Sequence, residues 1–124
     1  MTLDHPPGQR STPDLTATLN QLWIRFLPEI RERVAILEAA ARAHAAGVLT
    51  SEQREAAHAA AHKLAGTLGT FNLARGTDLA REFENACASG ESCKAAEAQW
   101  LTGLAAEILT LVNGRNSALK RGHE

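Results

Sequence analysis

His58 and His62, four residues apart in a chain of 124, are the side chains whose type and spacing are best suited to chemistry. An imidazole is largely neutral at neutral pH, and one ring nitrogen then carries a lone pair that can attack phosphorus, take up a proton or bind a metal. Two imidazoles one helical turn apart can hold zinc, as in helical metalloproteases, but the glutamate of that motif is missing. Ala59, Ala60 and Ala61 fill the gap, and no cysteine or carboxylate adjoins it in sequence, so no metal site is expected. Cys87 and Cys93 are too few to complete such a site, and a lone pair of cysteines is expected as reduced thiols. The sequence has no glycine-rich phosphate loop or Walker lysine pattern, and its three aspartates, Asp4, Asp14 and Asp78, are scattered. The chain therefore offers a nucleophile without the apparatus to activate a phosphoryl donor.

The elements that carry these residues are helical. Alanine and leucine number 24 and 16, against three valines and four isoleucines, which favours helix over strand. Residues 1–12, with Pro6, Pro7 and Gly8, read as a flexible leader. Thr12, Pro13 and Asp14 then suit the cap and first turn of a helix. From Leu15 an apolar stripe runs through Leu19, Leu22, Phe26, Ile30, Val34, Leu37 and Ala41, with a kink or break expected at Pro28 and a stop at Gly47. A second helix is expected from about Ser51 to Leu68, with Thr50 as its cap. A third should span Ala74 to Ala88, and a last one should end near Val112, with Gly114 as its stop. Residues 117–124 read as a frayed tail. The expected fold is all-α: an antiparallel up-and-down four-helix bundle over residues 13–116, with a short additional N-terminal helix.

On the second helix, His62 lies about 200° around from Leu64 at 100° per residue, and so points away from the bundle. Its face carries His58, Ala59, Ala65, Gly66 and Gly69, where an exposed helix usually carries Glu, Lys, Gln or Arg. Gly66 inside a helix costs about 1 kcal/mol relative to alanine, and that cost calls for a packing or access reason. The pattern describes a histidine on a cleared surface that a large partner can approach.

The run Ala61-His62-Lys63-Leu64-Ala65-Gly66, followed by a helix break and by Leu79-Ala80-Arg81-Glu82-Phe83-Glu84, resembles the histidine-containing phosphotransfer (HPt) domain family over about residues 28 to 112. That resemblance implies a phosphocarrier rather than an enzyme. His62 would be the phospho-accepting residue and Gly66 the small residue that leaves room for the partner. It implies receiver domains of response regulators or of hybrid histidine kinases as partners, with magnesium in the receiver and no cofactor of the chain's own. The sequence departs from the family at Ala65, where many members carry lysine, and at Asn72, where glycine is common. Lys63 is the nearest substitute counter-charge, and asparagine tolerates the left-handed turn conformation.

Two other readings stand beside this one. The chain could be a helical interaction module without phosphotransfer, pairing bundles through Leu15 to Phe26, or a metal-binding bundle through His58 and His62. Thirteen basic against 14 acidic residues argue against nucleic acid as a partner, and Arg115, Lys120 and Arg121 are too dilute to form a binding tail. No apolar run approaches a membrane span, and the N-terminus lacks signal-peptide regions, so a cytoplasmic monomer is expected. Trp23, Phe26, Phe71, Phe83 and Trp100 are expected in the core. Arg75 and Arg81 read as solvated charges.

Overall fold

Apolar stripes of helical period generate four helices, α1 (Pro7–Ala45), α2 (Ser51–Thr70), α3 (Ala74–Ala88) and α4 (Ala95–Gly122). They are seen in a computed structural model that describes residues 7–88 and 95–122, with side chains for 15–88 and 98–119. α1 packs on α2 and α4, and α3 packs on the same two helices, so the four close into an up-and-down ring. Along its axis lie Trp23, Ile30, Leu37, Leu64, Leu68, Leu79, Phe83 and Ile108, all with 1% exposure or less. Each such burial contributes about 1.5–3 kcal/mol relative to exposure. Among the described residues no helix is long and apolar enough to cross a membrane.

The chain reversals follow local chemistry. After α1, Gly47 takes φ +74°, donating its N–H to the His44 carbonyl while Val48 donates to that of Ala43. These two bonds satisfy carbonyls that the helix end leaves open, and the left-handed residue between them favours glycine. Thr50 caps α2 in a reciprocal capping box: its Oγ1 accepts from the Gln53 N–H and the Gln53 side chain accepts from the Thr50 N–H, both at 3.0 Å. α2 extends two residues beyond the expected Leu68 and closes through Asn72 at φ 64°, with Leu73 donating to the Leu68 carbonyl. Asparagine thus replaces glycine at the left-handed position, as its side chain permits.

Three expectations are corrected. Pro28 does not break α1, which is one 39-residue helix, so the described residues hold no separate N-terminal helix. Pro28 lies on the exposed side, as does Ile24, whose carbonyl loses its partner, and water can satisfy that group. Trp23 and Ile30 on either side are fully buried and hold both halves in place. The helix also starts at Pro7, inside the expected leader; proline suits a first turn whose N–H groups have no intrahelical partner, and residues 1–6 lie outside the described residues. Finally, α4 passes through Gly114 and continues to Gly122, into the expected tail.

That continuation has something to bury. Leu119 is 8% exposed, Trp23 Nε1 donates to Asn116 Oδ1 at 3.4 Å, and the Arg115 guanidinium lies 4.8 Å from the Trp23 ring centroid. Partial burial there lowers the Arg115 pKa from its ordinary value. Phe71 and Phe83 are core residues as expected, but Phe26 and Trp100 are 37% and 44% exposed. Both sit one step around the helix from the residues that face the axis. The turn expected at Ser89 to Ser92, and Cys93, lie outside the described residues, while Cys87 is half-buried on α3.

No atom lies within 4 Å of a Cβ built on Gly47, so only its backbone conformation penalises a side chain. Gly47→Ala is expected to destabilise the bundle by about 1 kcal/mol in chemical denaturation, and Gly47→Asn by less.

Candidate functional site

His62 projects from the middle of α2 with 73% of its side chain exposed. Its Nδ1 lies 2.9 Å from Oε2 of Glu84 on α3. A carboxylate only accepts, so Nδ1 carries the proton and the free lone pair belongs to Nε2, which has no hydrogen-bond partner among the described residues. The same Glu84 oxygen is 3.8 Å from His58 Nε2, one turn earlier on α2. Glu84 is 20% exposed, so it is half sheltered between the helices. The arrangement orients the ring and favours the tautomer protonated on Nδ1, with Nε2 facing outward.

The approach of α2 to α3 sets this geometry. A Cβ on Gly76 would meet Leu68 Cδ1 at 2.9 Å, so a side chain at the start of α3 would require the end of Leu68 to shift. One position on, Thr77 Oγ1 donates to the Ala65 carbonyl at 2.9 Å. With the turn centred on Leu73, antiparallel register then sets Glu84 opposite His62.

Beside the histidine, an open groove of about 480 Å³ runs between α1 and α2, lined by Phe26, Glu29 and Arg33 from α1 and by Lys63, Gly66 and Thr70 with His62 from α2. Lys63 and Gly66 are exposed there, and nothing lies within 4 Å of a Cβ built on Gly66. Internal packing therefore gives no reason for glycine at this position, and clearance for an outside body remains. Ala59 is exposed and His58 half-exposed. Gly69 is exposed but turned toward α3, where its Cβ would meet Thr77 Oγ1 at 3.3 Å. Ala65 departs from expectation. It is 5% exposed, because its position about 60° from His62 around the helix turns it into the α2–α3 seam. It belongs to the core and not to the docking face.

Glu84, Phe26, Glu29 and Arg33 are neighbours of His62 that spacing along the chain does not single out. The signal for Glu84 was the hairpin register about Leu73; the α1 residues have no local signal, since only packing brings α1 to this groove. Arg75 is not merely solvated: its Nε donates to Glu107 on α4 at 2.9 Å, and that contact raises its pKa. Among the described residues no group of three or more histidine, cysteine, aspartate or glutamate side chains has an arrangement that could hold a metal ion.

This arrangement has relatives. A sequence model of the Hpt domain matches residues 21–114, well over half of the chain. Protein RcaC of Microchaete diplosiphon is 40% identical over 68 residues, which are 55% of this chain and 10% of that protein. The chain thus spans only a small part of that relative's length. No solved structure matches it significantly. Hpt domains are histidine phosphotransfer modules of phosphorelays, and with its four-helix bundle and a family match that covers the histidine helix and its neighbours, this chain belongs to the Hpt domain family.

Proposed function

We propose that His62 is the phospho-accepting residue, and that the chain takes a phosphoryl group from the aspartyl phosphate of one receiver domain and passes it to the aspartate of another. The observation that carries this reading is the 2.9 Å contact between His62 Nδ1 and Glu84, which leaves Nε2 as the exposed nucleophile. In the forward step the Nε2 lone pair forms a bond to phosphorus as the bond from phosphorus to the aspartyl oxygen breaks. The electron pair of the broken bond stays on the departing carboxylate. Positive charge grows on the imidazole, and the Glu84 carboxylate faces it across the Nδ1 proton. Donation to the next receiver is the reverse of this step.

The division of labour follows from what the site holds. A positioned nucleophile supplies orientation, while the receiver and its magnesium supply charge stabilisation at phosphorus, so the chain acts as a carrier and not as an enzyme. Lys63 and Arg33 are the cations that line the groove with His62, and they supply positive charge beside a phosphoryl group held there. Gly66, Ala59 and Gly69 keep the face low, Phe26 offers an apolar contact at its edge, and His58 stands at its far side. A monomer working in the cytoplasm suits such exchange between receivers.

Incubation with a phosphorylated receiver and magnesium should label the chain with an acid-labile phosphate. His62→Gln should remove all of it, whereas undiminished label in that variant would falsify the assignment. Glu84→Gln, which weakens a charge-assisted hydrogen bond, should slow transfer by about 10- to 100-fold in quench-flow without changing helix content. Gly66→Leu separates access from stability: the fold should gain about 0.5–1 kcal/mol from helix propensity, while transfer falls at least about tenfold as the side chain occupies the partner's space.

A further inference from the structure

The position of His58 has no role in the transfer step as described, yet it stands over the one carboxylate that the step needs. Glu84 Oε2 is 2.9 Å from His62 Nδ1 and 3.8 Å from His58 Nε2. The first distance is a hydrogen bond and the second is not. A carboxylate shift of about an ångström, well within side-chain rotamer motion, exchanges the two. Both imidazoles project from α2 one turn apart, so one oxygen on α3 lies within reach of each. A groove next to His58 is lined by Arg54 and Glu55 of α2 and by Cys87 and Ala88 of α3, so the charged neighbours there are one cation and one anion of opposite effect.

We propose that His58 is a positioning residue that competes with His62 for Glu84, and so lowers the share of His62 held in the tautomer with its proton on Nδ1. This rests on the reading of His62 as the nucleophile only for its kinetic consequence. When Glu84 Oε2 turns to a donor on His58, His62 Nδ1 loses the acceptor that kept its proton there. The proton can then reside on Nε2, and the lone pair that must attack phosphorus is removed from the outward face. His58 thereby attenuates transfer without touching the phosphoryl group.

The test uses the full chain in two substitutions. His58→Ala removes the competing donor and keeps a strong helix former; His58→Gln keeps a donor of similar reach. Imidazole ¹⁵N chemical shifts of unphosphorylated His62 report the tautomer ratio, and rapid-quench labelling from a phosphorylated receiver reports the rate. His58→Ala should move His62 toward the Nδ1-protonated tautomer and raise the transfer rate about two- to tenfold, and His58→Gln should leave both near wild type. A tautomer ratio or a rate that stays put in His58→Ala, or a rate that falls, overturns the proposal. Absence of label on wild-type His62 would instead overturn the assignment of the nucleophile, and the tautomer measurement would still decide the competition between the two histidines.

Discussion

The close approach of α2 and α3 is the constraint on which the rest of the site depends. Gly76 eases it, since a Cβ there would lie 2.9 Å from Leu68 Cδ1 and displace it, and Thr77 Oγ1 fastens it on the Ala65 carbonyl. A helix carbonyl that receives a side-chain donor from its neighbour fixes the sliding register as well as the distance. Given that register, Glu84 comes within 2.9 Å of His62 on the surface of the same seam. The setting of one exposed histidine thus depends on a threonine and a glycine about two helical turns along α3 from the carboxylate.

The other half of the bundle serves the site differently. α1 and α4 outrun α2 and α3, with 39 and 28 residues against 20 and 15, and their extensions pair with each other. Trp23 meets Asn116 and Arg115, and its ring packs edge-on to Phe71 at 5.2 Å between centroids. Phe71 lies at the C-terminal cap of α2, so this cluster ties the end of the histidine helix to both long helices. It anchors the α1 wall of the groove, where Phe26, Glu29 and Arg33 face Lys63 and Gly66. One seam orients His62, and the other shapes the surface around it.

Stability and access pull in opposite directions on this surface. Gly66 weakens α2 by about 1 kcal/mol and nothing in the chain fills the space above it. A carrier that must exchange partners gains from a face without long side chains, since each long side chain would have to be displaced or ordered on docking. The cost is affordable because the opposite face of α2 carries Ala57, Ala61, Leu64 and Leu68, all with no exposure.

Much of this was legible in the residues alone. Helical stripes, the Thr50 cap, the Gly47 stop and the left-handed Asn72 are decided within a few residues, so composition and periodicity identified an all-α bundle, placed α3 at Ala74 to Ala88, and put His62 on the outer face of α2. The same local rules misjudged Pro28 and Gly114, because helix breaking is a local cost of a few kcal/mol that the burial of Trp23, Ile30 and Leu119 offsets. They also set Ala65 on the wrong side, since a flank residue turns inward or outward according to which helix lies beside it. Sequence determined that this protein would present a histidine on a cleared helical surface. Only the tertiary structure decided that Glu84 holds its Nδ1, that His58 reaches for the same oxygen and that α1 walls the groove, because those relations depend on the register between helices and not on spacing within one.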